Sequence, residues 1–319
     1  MAAPRLVQEI ELPRTLADGR RVGGFSALIH QPGARRLLLL SDLPAAELLS
    51  APAGDRGLPA ASGWNRAQAL PLARGQALDG EAMVLADGRL WLASEGRRSP
   101  ERRPQLLRLE AGSGALEAAF DLPEAWQAAE GRGLASNAGP ESLTALRHPG
   151  AGLQLLMAAE RPLLQDPPDR VRLLRWWWPA DTDSRRDAPL AAEQGSLRLP
   201  LEPGWGLTDL LVLPAEPGRV PLLLALLRQS QPPLQWRNRL ALYPLPQPGG
   251  VADPLRQWDL NALGLTPENW EGLALAPAGD GVGDPLGLLL LSDDNLNPLQ
   301  SSRLALFTLP APSLCTPDR

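Results

Sequence analysis

Five times along this chain, at near-even intervals, a short phrase returns and leads through a turn into an apolar run. The phrases are Gly24-Phe25-Ser26-Ala27-Leu28, Gly80-Glu81-Ala82-Met83-Val84, Pro140-Glu141-Ser142-Leu143-Thr144, Leu207-Thr208-Asp209-Leu210-Leu211 and Trp270-Glu271-Gly272-Leu273-Ala274. Their starts at 24, 80, 140, 207 and 270 lie 56, 60, 67 and 63 residues apart. The apolar runs that follow cover 37–40, 90–93, 153–158, 221–227 and 286–291. A two-strand unit repeated in this way cannot bury its apolar faces alone, so the copies must stack or arrange radially against one another.

The second copy shows how one unit is built. Asp79-Gly80-Glu81 opens a strand over 82–85, and Ala86-Asp87-Gly88-Arg89 reads as a hairpin turn, because the Asp-Gly step supplies the positive φ that a tight hairpin needs. A second strand follows at 90–93, a third at 105–110 and a fourth near 118–122. Equivalent third strands fall at 171–178, 238–243 and 303–309. Leu and Ala dominate the apolar 44% of the chain, and Ala alone would favour helix. The 35 Pro and 30 Gly leave little room for helices of ordinary length, so short strands with many turns win.

Four short antiparallel strands per unit describe a propeller blade. The expected fold is therefore an all-β β-propeller of five blades, forming one domain over 1–319. A sixth blade remains open if a divergent copy lies within 41–78 or 160–205. The segment 7–12 precedes the first unit, and pairing it with 303–309 would close the ring and cover both edges. The stretches 50–75 and 179–203 read as excursions from the blades. An α/β fold would need crossover helices that the Pro- and Gly-rich intervals do not supply. Trp176-Trp177-Trp178 must face alternate sides of a strand, and packing explains it better than ligand stacking.

Blade geometry turns the phrase into chemistry. Matching positions at the start of each inner strand share one level around the axis, and Glu81, Glu141, Asp209 and Glu271 occupy them in four copies, with Ser26 in the first. A second set, Asp42, Glu95, Glu160 and Asp293 with Asp294, ends the next strand and should converge on the same mouth of the channel. Crowded carboxylates must bind cations, take up protons, or be neutralised by arginines or backbone donors. An oxygen-rich site without cysteine or nearby histidine suits Ca²⁺, with Mg²⁺ as the alternative, over zinc. The expected metal set is Glu81, Glu141, Asp209, Glu271, Asp293, Asp294 and Asn295. Each acid could equally accept backbone hydrogen bonds and fix its own blade. The run Ser292-Asp293-Asp294-Asn295-Leu296-Asn297 suits either a self-satisfied turn or a ligating loop.

Other chemistries have weaker support. The net charge is −5, and the clusters Arg97, Arg98, Arg102, Arg103 and Arg185, Arg186 sit in expected loops, which argues against nucleic acid as a partner. Cys315 stands alone, which excludes an intrachain disulfide framework. Ser26 lacks the second glycine of a nucleophile elbow, and neither His30 nor His148 lies in an Arg-His-Gly phrase. No apolar stretch reaches the length of a membrane span, and the first residues carry no export signal. As written, the chain reads as a cytoplasmic monomer; an upstream start would alter the compartment, and a protein partner stays open.

Taken together, Gly23-Gly24-Phe25-Ser26-Ala27-Leu28, Asp79-Gly80-Glu81-Ala82, Asn137-Ala138-Gly139-Pro140-Glu141-Ser142-Leu143, Gly206-Leu207-Thr208-Asp209-Leu210, Asn269-Trp270-Glu271-Gly272-Leu273-Ala274 and Ser292-Asp293-Asp294-Asn295-Leu296-Asn297-Pro298-Leu299-Gln300 resemble the phytase-like domain family. The resemblance runs in order from about 22 to 309. It implies a β-propeller with esterase-like activity, distantly related to calcium-dependent phytases whose acidic channel mouth binds phosphate through metal ions. It also implies a periplasmic or secreted protein, from which the missing signal departs. The expected activity is metal-assisted hydrolysis of a small ester or phosphoester. Glu81, Glu141, Asp209 and Glu271 would be the working acids, and Arg161 or Arg228 would bind a phosphate oxygen. The competing expectation is a non-enzymatic propeller that binds a small ligand or protein through its loop face.

Overall fold

The computed structural model describes residues 2–41, 46–75, 78–96, 103–147, 152–214, 219–231, 235–277 and 285–310. Asp42, Arg97, Arg98, Arg102, His148 and Cys315, singled out above, lie outside the described residues. The chain begins with β1 (Arg5–Glu11). Blade 1 follows with β2 (Phe25–Gln31), β3 (Arg36–Ser41), β4 (Glu47–Pro52) and β5 (Gln68–Pro71). Blade 2 contains β6 (Gly80–Ala86), β7 (Arg89–Ser94), β8 (Gln105–Glu110) and β9 (Leu116–Asp121). Blade 3 contains β10 (Ser142–Arg147), β11 (Leu153–Ala158), β12 (Arg170–Trp177) and β13 (Leu190–Arg198). Blade 4 contains β14 (Trp205–Val212), β15 (Leu222–Gln231) and β16 (Gln235–Pro244); the two-residue β17 (Val251–Ala252) then pairs back onto β13, and β18 (Arg256–Asp259) completes the blade. Blade 5 is β19 (Asn269–Ala276), β20 (Leu286–Asp293) and β21 (Arg303–Leu309), with β1 as its outer strand.

The five inner strands β2, β6, β10, β14 and β19 are those that begin with the repeated phrase, and each packs against the next around the axis. Among the described residues the strands form five blades and no sixth. The apolar runs become the second strands, which are buried on both faces because a neighbouring blade covers each side. Leu37 and Leu39 join the core shared with blade 5, whereas Leu38 and Leu40 join the core shared with blade 2. Strand alternation thus divides one run between two cores. Five such clusters fill the five gaps between blades. A fully buried leucine at these positions contributes about 1.5–3 kcal/mol.

Closure follows the expected pairing. β1 runs antiparallel to β21, from Arg5 opposite Thr308 to Glu11 opposite Arg303. Arg303 lies 3.0 Å from both the Glu9 and Glu11 carboxylates, so charge complementarity pins the seam. The tryptophan run is packing: Trp176 and Trp178 are buried, Trp178 lies 4.6 Å from Trp91, and Trp177 carries the Arg175 guanidinium 4.9 Å above its ring.

Two expectations need correction. The stretches 50–75 and 179–203 are not simple excursions, because β4 and β5 run through the first and β13 through the second. β5 and β13 are outer strands with mixed polar composition and partial exposure, and β4, a third strand that buries Leu48, Leu49 and Ala51, is interrupted by Ser50 and ends at Pro52, so all three lack the dense apolar signal of the second strands. Among the described residues no helix is long and apolar enough to cross a membrane.

Candidate functional site

All five inner strands line the central channel, where a cavity of about 160 Å³ is bordered by Leu28, Met83, Leu143, Asp209 and Leu273 among others. Each inner strand starts at one mouth, and four of the five start with a bulge. Phe25 pairs with Ser41 and Ala27 with Leu40, leaving Ser26 as the extra residue; Glu81, Thr208 and Glu271 are skipped in the same way. Glu141 stands just ahead of β10 in the corresponding place. A bulge re-aims the extra side chain, which here brings Glu81 and Glu271 to the mouth.

That register shifts Asp209 out of the ring. Thr208 is the counterpart of the glutamates, and Asp209 lies one residue further along. Its Oδ1 accepts the Leu210 amide at 2.7 Å and its Oδ2 accepts the Leu273 amide of the next blade at 2.6 Å. Burial pushes this carboxyl well above its ordinary range, while the two amides pull the other way. Asp209 ties β14 to β19.

The ends of the second strands form an equally regular set. Glu95 lies opposite Asp79 and Glu160 opposite Gly139, each with its amide 2.9 Å from the facing carbonyl. Arg228 faces Gly206 and Asp293 faces Asn269. Among the described residues, three blades therefore carry an acid and one an arginine at the same place. Glu95 and Glu160 reach toward the following blade across glycines that leave them room. A Cβ on Gly139 would lie 2.4 Å from Glu95 Cγ, and one on Gly206 would lie 2.6 Å from Glu160 Oε1. Gly23 gives similar clearance to Asp294, whose Oδ1 accepts the Gly24 amide at 3.0 Å.

Three carboxylates converge at this mouth. Glu81, Glu95 and Glu141 each present an oxygen within 4.8 Å of the others. Burial, then Asp79 and Glu160, push the Glu95 carboxyl up to about 7 against the opposing pull of the Ala138 and Gly139 amides. Burial, followed by Glu81, Glu160 and Glu271, drives Glu141 well above its usual range, with Arg228 opposing. Oxygen ligands at about 2.3–2.6 Å from Ca²⁺ can stand up to about 5 Å apart, so the spacing and the all-oxygen donor set fit that ion. Mg²⁺ would demand tighter octahedral geometry.

Arg228 neutralises the neighbouring side. Its Nη2 donates to Glu160 Oε1 at 2.9 Å, and its Nη1 donates to Glu271 Oε1 and Asn269 Oδ1. Asn269 Nδ2 donates to the same Glu271 oxygen at 2.8 Å, and the Trp236 ring centroid lies 5.5 Å from the guanidinium. Burial alone would lower Arg228, but Glu271, Glu160 and Glu141 outweigh it and push it up. Arg161 differs: its side chain is 43% exposed, with Nε 3.5 Å from Glu160 Oε2.

The sequence-based set is therefore divided. Glu81 and Glu141 meet, joined by Glu95, while Glu271 turns to Arg228. Asp293, Asp294 and Asn295 shape their own turn. Asp293 Oδ1 accepts the Asn295 amide at 2.9 Å, Asp294 Oδ1 accepts the Leu296 amide at 3.1 Å, and Asn295 Nδ2 reaches Gln300 Oε1 at 3.4 Å. Adjacent residues in a tight turn spend their oxygens on local amides, which removes them from the cluster. Glu95 belonged to the second acidic set rather than to the expected site. The signal that could have promoted it was Gly139, placed ahead of the phrase as Gly206 is. Ser26 heads β2 while His30 lies four residues along the same strand, about 13 Å away at an ordinary strand rise. His30 Nδ1 lies 3.1 Å from the Leu275 carbonyl, so these two residues form no nucleophile–base pair.

A family model described as Phytase-like, esterase-like activity of phytase, matches residues 20–296. No curated protein matches the chain. Among solved structures, the tail fibre of Staphylococcus aureus phage P68 aligns with TM-score 0.46 and 10% identity over 97% of this chain and 53% of that one, so this chain spans about half of its length. The subtype N11 neuraminidase-like protein of A/flat-faced bat/Peru/033/2010 aligns with TM-score 0.44 and 10% identity over 96% and 97% of the two chains. A gluconolactonase from Xanthomonas campestris aligns with TM-score 0.38 and 13% identity over 97% and 96%. Identities of 10–13% with TM-scores below 0.5 place these proteins far from this chain.

Proposed function

The chain belongs to the phytase-like family, and from that membership we propose that it is a metal-assisted hydrolase of small esters or phosphoesters acting at the acidic mouth of its channel. The observation that carries the reading is the convergence of Glu81, Glu95 and Glu141 within 4.8 Å. These side chains would hold one divalent cation, Ca²⁺ by donor type and spacing, with Mg²⁺ as the alternative. When bound, such an ion neutralises an ester or phosphate oxygen and acidifies a water molecule.

The chain's own groups have distinct parts. Glu81, Glu95 and Glu141 would hold the cation through carboxylate oxygens, and because burial and neighbouring acids push Glu95 up to about 7, the ion would compete there with protons. Arg161, half-exposed beside Glu160, offers its guanidinium to an anionic substrate oxygen. Arg228 is engaged with Glu160, Glu271 and Asn269, so Arg161 is the better candidate for that contact.

Calorimetric titration of the full chain with calcium chloride, then with magnesium chloride, tests the reading. Glu81→Gln and Glu95→Gln are each expected to weaken binding at least about tenfold, since an amide keeps the shape but loses the charge. Hydrolysis of p-nitrophenyl phosphate and p-nitrophenyl butyrate is then followed with and without chelator. Turnover that requires the metal supports the proposal; absent metal affinity with chelator-insensitive stability overturns it.

A second reading has its own support. Asp209 and Asp294 spend their oxygens on backbone amides that join neighbouring blades. Extended to the remaining acids, that pattern would describe a non-enzymatic propeller that binds a ligand or protein through its loops. Metal binding without turnover on either ester favours it.

A further inference from the structure

We propose that Arg228 is a built-in counter-cation: its guanidinium occupies the place where a second divalent ion would otherwise sit, so the mouth takes one ion rather than two. The inference rests on the metal reading above and concerns the other half of the same mouth.

The first observation is positional. Glu95, Glu160, Arg228 and Asp293 stand at one register place in successive blades, opposite Asp79, Gly139, Gly206 and Asn269. Three are acids. The exception comes where the next blade presents Asn269 in place of a glycine such as Gly139 or Gly206. An arginine that replaces an acid needs acceptors across the gap, and the Asn269 carbonyl is one of them.

The second observation is the shell around the guanidinium. Glu160 Oε1 lies 2.9 Å from Nη2, and Glu271 Oε1 and Asn269 Oδ1 accept from Nη1. Asp293 Oδ2 stands 3.5 Å from Asn269 Nδ2, just behind that shell. Without the guanidinium, this is an oxygen set of the same kind as Glu81, Glu95 and Glu141, whose charge a divalent cation would compensate in competition with protons. Trp236, on the hairpin that carries Arg228, lies against the guanidinium and limits its freedom to swing out. A planar fork with fixed donors can satisfy three acceptors at once, which a hydrated ion in exchange with solvent does not do permanently.

The arrangement also explains why Glu271, a bulge-position glutamate like Glu81, is absent from the three-carboxylate cluster. Its Oε1 accepts from Arg228 Nη1 and Asn269 Nδ2 instead. The guanidinium thereby acts through Glu160 and Glu271 as a positioning group rather than by contact with substrate.

Calcium titration by calorimetry on the full chain, with circular dichroism melts to verify folding, tests the idea. The expected stoichiometry is one ion for the native chain and two for Arg228→Ala. In the native background, Glu160→Gln and Glu271→Gln should change calcium affinity less than about threefold, whereas Glu95→Gln should weaken it at least about tenfold. A folded Arg228→Ala that still binds one ion overturns the inference and leaves the metal reading standing. Two ions in the native chain also overturn it. No ion in the native chain with one in Arg228→Ala refutes the metal reading but supports the counter-cation; none in either refutes both. If Arg228→Ala does not fold, the single glutamine variants decide: a tenfold loss in Glu271→Gln would place the native ion on the Arg228 side and overturn the proposal.

Discussion

Gly206→Ala examines a close contact between two blades. Gly206 has ordinary φ, so alanine meets no backbone strain and the effect is steric alone. The added methyl would sit 2.6 Å from Glu160 Oε1, 2.8 Å from its Cγ and 3.0 Å from its Cδ. Normal contacts would require the glutamate to retreat by roughly 0.7 Å. It has little room to do so, being 3% exposed and bonded to Arg228 at 2.9 Å. Overpacking of this size costs about 1–3 kcal/mol, and stretching a buried charge-assisted bond adds to it, so about 3 kcal/mol is expected. Glu160→Ala removes all three clashing atoms. Its own cost should be about 3 kcal/mol, because Arg228 keeps Glu271 and Asn269. In that background Gly206→Ala should cost less than about 0.5 kcal/mol, giving a coupling of at least about 2.5 kcal/mol in the double-mutant cycle. Urea denaturation of the four proteins provides the measurement, with Gly33→Ala as a control because nothing lies within 4 Å of its added methyl. A coupling below about 0.5 kcal/mol would refute the claim that Gly206 exists to admit Glu160.

Three further outcomes follow from the same geometry. Glu95 has a folded pKa of about 7 against an ordinary value of 4.5, so between these values the folded chain keeps a proton that the unfolded chain has released. Its contribution to stability therefore falls as pH rises through that window and levels off above about 7; in chelator the difference between native protein and Glu95→Gln should change by about 2 kcal/mol, after allowance for partial exposure, and a change of opposite sign would exclude this origin. Asp209→Ala leaves the buried Leu210 and Leu273 amides without their acceptor, which should cost about 2–4 kcal/mol and accelerate hydrogen exchange at Leu273; unchanged exchange would show that the acid is not the link between β14 and β19. Glu9→Ala removes the acceptor of Arg303 at 3.0 Å and of the Thr266 amide at 3.1 Å and should lower stability by about 1–2 kcal/mol, whereas Glu11→Ala, at a side chain 54% exposed, should cost under about 0.5 kcal/mol; equal losses would argue against a pinned seam.

What the sequence determined by itself was the repeated architecture. The period, the hairpin turn at Asp87-Gly88 and the doubly buried runs such as Leu37 to Leu40 are local patterns, and five copies reinforce one another. Inner strands, second strands and the β1–β21 closure were legible for that reason. Outer strands such as β5 and β13 were not, because half-exposed residues carry a weak apolar signal. The site was legible only as a ring. One bulge residue changes which side chain takes the mouth position, and that choice gave Thr208 rather than Asp209 the register place that the glutamates hold in other blades. Tertiary structure also decided the pairing of charges. Glu95 meets Glu81 and Glu141, while Glu271 goes to Arg228, across gaps between blades distant in the chain. Side-chain identity names the groups that carry charge; which of them meet depends on strand register and on the few ångströms that a glycine in the next blade leaves open.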